Sequence, residues 1–175
     1  MMKNILKILE DDARTKTSQI ATMTGLSSEE VTRVIEQAEK DRIILKYKAI
    51  INWDKVENER VWALIQVQAS PQKNVGFDAI AQRISQFPVA RSVYLVSGTH
   101  DLLILAAGKS EHEIADFVSQ KLAPIEGVKG TVTNFVLKRY KEDGEILEGA
   151  EEVTRQPMIL EPLNQVLHWR KNTNS

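Results

Sequence analysis

TSQIATMTGLSSEEVTRVIEQAEKDRIIL, residues 17–45, is the stretch that decides the fold of the N-terminal part of this chain. It predicts two short helices joined by a turn at Gly25. Ser27 followed by Glu30 three residues later is a capping box, which marks the start of the second helix. Apolar residues then recur at helical spacing and predict one buried face: Val31, Val34, Ile35 and Ala38. This outline predicts a helix-turn-helix, whose second helix normally enters the DNA major groove.

The charge of the second helix conflicts with that prediction. From Ser28 to Asp41 the helix carries two basic and five acidic residues, a net charge of −3. DNA is a polyanion, so a helix that reads it is expected to be neutral or basic. The segment therefore has the shape of a DNA reader and an unfavourable charge.

Size and composition describe an ordinary globular protein. The 175 residues are 42% hydrophobic and 27% charged, and the net charge is −1 at a sequence pI near 6.3. This balance implies no global attraction to nucleic acid, so DNA binding needs a local basic patch. The chain contains no cysteine, which excludes disulfides, Cys-containing zinc sites and thiol chemistry within it.

The sequence contains no apolar run approaching the roughly 18 residues that a membrane helix needs. The first residues, MMKNILKILEDDAR, lack the apolar core and cleavage site of a signal peptide. We therefore expect a cytoplasmic protein that has no membrane partner.

Residues 1–51 are predicted to form a winged helix-turn-helix DNA-binding domain. A first amphipathic helix precedes the pair described above, and Thr17 is a plausible N-cap for the next helix, with Ile20 and Met23 facing inward. Residues 43–51, IILKYKAII, predict a strand that would be the wing, with Lys46 and Lys48 on one face. Residues 52–60 are polar and predict a linker.

Residues 61–141 predict a second domain built from a repeated strand-helix-strand pattern. The strands are VWALIQVQA, ARSVYLVSG, DLLILAAG and GVKGTVTNFVLKRY, and the helices are FDAIAQRISQF and HEIADFVSQKLA. Two such units favour a ferredoxin-like βαββαβ sandwich, so the predicted fold class is α+β. Both helices would cover one face of the sheet. The apolar opposite face is of the kind that is usually buried against another subunit, which predicts a homodimer.

Residues 142–175 are predicted to be a C-terminal extension. The first part is acidic and rich in turn-forming residues, and LNQVLHWR predicts a short helix near the end.

These patterns together resemble the Lrp/AsnC, or feast/famine, family of transcriptional regulators. ILKILEDDAR is similar to the opening helix of the family, and GLSSEEVTRVIEQAEKDRII to its turn and recognition helix. VSGTHDLLIL matches the glycine-x-x-aspartate segment between the second and third strands, and PIEGVKGTVTNFVLKRYK matches the closing strand. The four segments occur in the family's order and the resemblance covers about residues 4–141.

The resemblance implies a regulator that binds double-stranded DNA as a dimer, which assembles further into tetramers or octamers. It implies an amino acid or a related small molecule as effector, and no other cofactor. Five positions depart from the family. The recognition helix has Val34, Glu36 and Gln37 where basic residues are usual, Arg42 stands where a glycine usually closes this helix, and His100 replaces an aromatic residue.

The candidate DNA-binding residues are hydroxyl and basic side chains around the second helix of the pair and on the wing. Hydroxyls contact phosphates or bases, and Arg33 suits guanine or phosphate. The set is Lys16, Ser27, Ser28, Thr32, Arg33, Lys46 and Lys48. The alternative is an ordinary solvated helix face.

The candidate effector site is the turn at residues 97–101. Turn amides at Gly98 and Thr99 suit the carboxylate of an amino acid, and Asp101 suits its ammonium group. Hydroxyls from the neighbouring strand complete the set: Ser97, Gly98, Thr99, His100, Asp101, Thr131 and Thr133. The alternative is a simple turn, in which Gly98 supplies an unusual conformation and Asp101 bonds to the backbone.

Other functions remain open on the sequence. A sensor that has lost DNA binding is favoured by the acidic helix. A tetrapyrrole decarboxylase-like enzyme is the third possibility, but the sequence offers no catalytic pair. An RNA-binding sheet would need more aromatic residues on its central strands. The three histidines are widely spaced, which argues against a metal site and leaves His100 as a surface or effector-lining residue.

Overall fold

A computed structural model describes residues 1–56, 60–71 and 76–147. The chain divides into two compact units, Met1–Val56 and Glu57–Ser175.

The first unit contains three helices: α1 (Met2–Asp11), α2 (Thr17–Thr24) and α3 (Ser28–Lys40). Ile5, Ile20, Ala21 and Val31 form its buried core, and Leu26 from the turn packs against them. Val31 and Ala38 of α3 are buried, with Val34 and Ile35 half-buried, so the predicted apolar face is confirmed. Gly25, at φ +71°, ends α2 in the left-handed conformation that a glycine accepts without strain.

Two details of α2 differ from the sequence prediction. The helix is capped by Lys16 rather than Thr17, because the Gln19 side chain accepts the Lys16 N–H at 3.1 Å and the Gln19 N–H donates to the Lys16 carbonyl. Met23 is 66% exposed. On the helical wheel it lies more than 90° from the direction midway between Ile20 and Ala21, the two buried residues of this helix.

A strained residue closes α3. The Ile43 N–H donates to the Ala38 carbonyl at 2.8 Å and the Arg42 N–H to the Glu39 carbonyl at 3.0 Å. These two bonds form a Schellman motif, which requires a left-handed residue. Arg42 fills that position at φ +58°, although its side chain disfavours the conformation.

The predicted wing strand at residues 43–51 is wrong for the described chain, because these residues contain no strand. A strand needs the backbone hydrogen bonds of a neighbouring strand, and no described strand pairs with this segment. The segment runs past α1 and exposes Leu45 at 75%. A 3₁₀ turn follows at Trp53–Lys55.

The described part of the second unit contains a four-stranded antiparallel sheet in the order β2-β3-β1-β4. Its strands are β1 (Val61–Ala69), β2 (Ala90–Leu95), β3 (Leu102–Gly108) and β4 (Val128–Phe135). With α4 (Asp78–Ser85) and α5 (Glu111–Asp116) between the strands, the predicted βαββαβ order is confirmed. The last strand ends five residues earlier than predicted.

The two faces of the sheet differ in burial. Ile65 and Val67 of β1 are fully buried with Ile104 of β3 and with Ile80 and Ile114 of the helices. The opposite face exposes apolar side chains, with Leu64 at 39%, Val132 at 46% and Tyr94 at 53%. The described chain therefore leaves one apolar sheet face open to solvent.

The helix predicted at residues 112–123 begins at Glu111 and changes type. It is α-helical to Asp116 and π-helical over Phe117–Leu122. The Ala123 N–H donates to the Val118 carbonyl five residues earlier at 2.8 Å. Phe117 and Leu122 are buried and Phe117 packs edge-on against Phe87, so the helix keeps its apolar side toward the core despite the change.

A short hairpin begins the C-terminal extension, where the sequence predicted only turns. β5 (Lys141–Glu142) pairs with β6 (Glu145–Ile146), and the following Leu147 is buried. The helix predicted for LNQVLHWR lies outside the described residues.

We predict that Arg42→Gly stabilises the chain. Glycine removes the left-handed strain at this position, which is expected to raise the free energy of unfolding by about 1 kcal/mol. Denaturant unfolding of the full chain followed by circular dichroism measures the change. Arg42→Ala is the matched control, since it removes the side chain and keeps the strain. Equal stability of the two variants would contradict the prediction.

Candidate functional site

The residues predicted to contact DNA lie on the surface of the first unit. Each of the seven has an exposed side chain: Lys16, Ser27, Ser28, Thr32, Arg33, Lys46 and Lys48. Ser27, Ser28, Thr32 and Arg33 gather at the N-terminal half of α3. Lys46 and Lys48, which we call the basic segment, follow the C-terminal end of α3. The helix is about 20 Å long, so the basic segment lies apart from the cluster at the N-terminal half.

The start of α3 is the predicted capping box. The Ser27 hydroxyl accepts the Glu30 N–H at 3.2 Å, and the Glu30 carboxylate accepts the Ser27 N–H at 2.9 Å. The backbone hydrogen bond from Ser27, with that from its side chain, holds the pKa of Glu30 below its ordinary value. The Glu30 carboxylate is thus hydrogen-bonded at the N-terminus of its own helix.

Two further exposed residues of α3 bond to the preceding turn. The Thr32 hydroxyl donates to the Ser28 carbonyl at 2.9 Å, and Arg33 Nε donates to the Glu29 carbonyl at 3.4 Å. Both bonds use backbone acceptors, and Arg33 is exposed. An exposed guanidinium beside hydroxyls is suited to bind a phosphate or a guanine edge.

Tyr47 connects the basic segment to α3. Its hydroxyl donates to the Glu39 carboxylate at 2.8 Å. Partial burial, with this hydrogen bond, raises the pKa of Tyr47. Lys46 and Lys48 are therefore held beside the C-terminal turn of α3 by a side-chain bond rather than by a strand ladder.

Three of the five acidic residues between Ser28 and Asp41 accept hydrogen bonds within the unit, and of these bonds the sequence analysis had predicted only that of Glu30. Glu30 accepts from Ser27, Glu39 from Tyr47, and Asp41 from the Gln37 amide at 2.8 Å. The capping box and the four-residue spacing of Gln37 and Asp41 are readable from sequence. The bond between Tyr47 and Glu39 carries no local sequence signal, because the two residues lie in different elements.

The turn at residues 97–101 joins β2 to β3. The Val96 N–H donates to the Asp101 carbonyl at 2.9 Å, and the Asp101 N–H donates to the Val67 carbonyl at 3.0 Å. The Asp101 carboxylate accepts the Ala69 N–H at 2.8 Å through one oxygen. Asp101 therefore bonds to the backbone of the central strand β1, as the simple-turn alternative expects of this residue, and one carboxylate oxygen makes no described hydrogen bond.

The outer part of this turn faces solvent. Ser97, Gly98 and Thr99 are exposed, and His100 and Asp101 are half-buried. Gly98 has φ +136°, a conformation that residues with a side chain rarely adopt. The Thr99 hydroxyl lies 3.0 Å from His100 Nδ1. The turn thus presents backbone amides, a hydroxyl, an imidazole and a carboxylate, which are groups that can bind a small zwitterion.

Thr131 and Thr133 are not brought to this turn. They pair with Val67 and Ile65 on the far side of β1, whereas Asp101 precedes β3 on the near side. Two strand spacings place their backbones roughly 10 Å from β3. Their side chains are half-buried on the helix-covered face.

Within residues 1–56, 60–71 and 76–147, no three His, Asp or Glu side chains cluster as metal ligands would. Over the same residues, no helix is long and apolar enough to cross a membrane.

Two family models match this chain. The model described as Lrp/AsnC ligand binding domain matches residues 62–146. The model described as winged helix-turn-helix DNA-binding matches residues 2–44.

Curated relatives match this chain over most of its length and over most of their own length. The chain is 41% identical over 152 residues to the uncharacterized HTH-type transcriptional regulator YugG of Bacillus subtilis (strain 168), covering 86% of this chain and 92% of that protein. It is 32% identical over 139 residues to the HTH-type transcriptional regulator LrpA of Pyrococcus abyssi (strain GE5 / Orsay), covering 79% and 96%.

A solved structure of similar fold is a transcriptional regulator from Neisseria meningitidis in complex with L-Met. It superposes with a TM-score of 0.62 at 26% identity, covering 81% of this chain and 90% of that chain.

We predict that Glu30 makes stability depend on pH in the acidic range. Its pKa is lowered in the folded chain, so its contribution is complete above the ordinary glutamate pKa, where both states are ionised. The contribution is lost as the pH falls through the lowered pKa. Glu30→Gln keeps a capping acceptor but cannot titrate. The difference in denaturant midpoint between the two proteins is therefore expected at neutral pH and should shrink in acid.

Glu36→Gln is the control for this titration, because Glu36 is exposed and its carboxylate accepts no hydrogen bond among the described residues. A pH profile of Glu30→Gln that parallels the wild type, as the control profile should, would contradict the assignment.

Proposed function

The chain belongs to the Lrp/AsnC family of transcriptional regulators, and on this premise we propose that it binds double-stranded DNA through α3 and the basic segment beside it. The observation that carries the proposal is the exposed cluster of Ser27, Ser28, Thr32 and Arg33 at the N-terminal half of α3. In helix-turn-helix proteins this half of the second helix contacts base edges. Lys16, Lys46 and Lys48 would add phosphate contacts that fix its position on the duplex.

The hydrogen bonds of α3 reduce the charge conflict. Glu30, Glu39 and Asp41 bond within the unit, and the helix retains Arg33 and Lys40 on its exposed side. Binding that relies on few basic residues is expected to be modest for one dimer and to gain strength when linked dimers contact several sites.

We further propose that an amino acid acts as effector at the turn of residues 97–101. The amides of Gly98 and Thr99 would bind the carboxylate, and the second oxygen of Asp101 would bind the ammonium group. Ser97 and His100 would line the site. The L-Met complex of the Neisseria regulator supports an amino acid as the ligand class. Thr131 and Thr133 lie across β1 from Asp101 and have no role in this proposal.

The apolar open face of the sheet supports a homodimer. Leu64, Tyr94 and Val132 present an apolar patch of the kind that is usually covered by another subunit. The dimer would assemble further into tetramers or octamers and act in the cytoplasm, where the DNA is. The chain would be a regulator without catalytic activity.

Arg33→Ala is predicted to weaken DNA binding by about tenfold, the loss expected for one good base or phosphate contact. Anisotropy with a labelled duplex from the chain's own upstream region, titrated across salt concentrations, measures the affinity. Arg83→Ala on α4 is the control, because it removes an exposed arginine outside the proposed interface. Sedimentation checks that both variants assemble as the wild type does.

Equal affinities of Arg33→Ala and wild type would refute the interface. Absence of wild-type binding to any duplex would instead favour a sensor that has lost DNA binding.

Asp101→Asn is predicted to abolish the response to the effector while the chain stays folded. The amide oxygen can still accept the Ala69 N–H, whereas the negative charge that would bind an ammonium group is lost. The measurement is DNA affinity with and without each of a panel of amino acids that includes L-methionine. A coupling free energy of about 1–3 kcal/mol between effector binding and DNA binding would change the affinity of the wild type for DNA roughly 5- to 150-fold.

Glu111→Gln, at the opposite end of β3, makes the same charge change away from the turn and should leave the response intact. A variant Asp101→Asn that still responds like the wild type would overturn the proposed site.

A further inference from the structure

We propose that Glu29 is a specificity-determining residue of the DNA interface, which accepts a hydrogen bond from the N4 amino group of a cytosine beside the contact made by Arg33. The inference rests on the proposed function, in which α3 enters the major groove. It assigns a role in recognition to an acidic residue that would otherwise only oppose DNA binding.

The exposed side of α3 carries alternating charge. At 100° per residue, the side opposite the buried Val31 and Ala38 is formed by one row of residues. The row is Glu29, Arg33, Glu36 and Lys40. Its formal charge is zero, so the net charge of −3 does not describe the surface that would meet DNA.

The two acidic residues of this row differ from the other three on the helix. Glu30, Glu39 and Asp41 lie at the sides of α3 and accept hydrogen bonds from Ser27, Tyr47 and Gln37. The carboxylates of Glu29 and Glu36 are exposed and accept no hydrogen bond among the described residues. Glu29 and Glu36 therefore offer both carboxylate oxygens to a ligand, whereas each of the other three uses one oxygen within the unit.

Position along the helix distinguishes Glu29 from Glu36. Glu29 is the second residue of α3 and lies one turn before Arg33, whose Nε donates to the Glu29 carbonyl. The N-terminal residues of a recognition helix contact base edges. Glu36 lies about 10 Å further along the axis, which makes it the natural control.

The chemistry of the major groove selects the base. A carboxylate only accepts hydrogen bonds, and it is repelled by the phosphates unless a donor compensates. Cytosine presents the N4 amino donor with no acceptor of its own beside it, whereas adenine pairs its N6 donor with the N7 acceptor. Guanine and thymine present acceptors. Glu29 therefore favours cytosine and disfavours the other three bases.

Arg33 complements this preference. A guanidinium donates to O6 and N7 of guanine, so the two residues together would favour a half-site that contains a cytosine near a guanine. The carboxylate would lower affinity for other sequences as well as raise it for this one, which is how repulsion contributes to specificity.

The test is selection of bound duplexes from a randomised pool by the full-length wild type, Glu29→Gln and Glu36→Gln. We expect the wild type to enrich a half-site with one strongly preferred cytosine. Glu29→Gln should lose that preference on the order of tenfold and keep the other positions. Glu36→Gln should keep all of them. Anisotropy on the selected duplex and on its single-base variants would measure the ratios.

A helix-stabilising role of Glu29 gives a different result. Acidic residues in a first turn interact favourably with the helix dipole, so a purely structural role lowers the melting temperature of Glu29→Gln without changing the enriched sequence. That result would overturn the inference, as would loss of the cytosine by Glu36→Gln instead. If the wild type retains duplexes but enriches no sequence, the inference about Glu29 fails, whereas if it retains no duplex the proposed DNA binding itself fails.

Discussion

Backbone hydrogen bonds made at the ends of helices and strands determine where the candidate functional groups of this chain lie. Buried or ordered backbone N–H and C=O groups need hydrogen-bond partners. At the ends of helices and strands, the regular backbone hydrogen bonds of the element no longer supply them. Ser27 and Glu30 supply the partners at the start of α3, and the Schellman motif around Arg42 supplies them at its end. The Asp101 carboxylate does the same for Ala69 at the end of β1.

These bonds explain how an acidic helix is compatible with a family of DNA-binding regulators. Net charge treats all side chains of a helix alike, whereas a groove meets only one side of it. The acidic residues at the sides of α3 have partners within the unit, and the exposed row alternates in sign. In the proposed interface, electrostatic attraction by this helix would be weak, and Glu29 and Arg33 would contribute mainly to discrimination between bases.

Asp101 has two tasks in the proposed mechanism. One oxygen holds the backbone of β1, and the other is available to an ammonium group. A ligand bound through a group that also holds an internal strand of the sheet would have a direct effect on the hydrogen bonds of that strand. Regulation in this family member would therefore begin at a backbone contact rather than at a separate flexible loop.

The sequence by itself determined the elements whose signals are local. The capping box at Ser27, the apolar face of α3 and the apolar strand segments of β1 and β3 were predictable because each depends on residues a few positions apart. The segment of residues 43–51 has strand periodicity but no partner strand among the described residues, so its pattern misled. Only the tertiary structure decided that Tyr47 meets Glu39, that Asp101 holds Ala69 and that β1 separates Thr131 from the turn. These contacts join residues of different elements, and no local pattern encodes which of many possible partners the folded chain brings together.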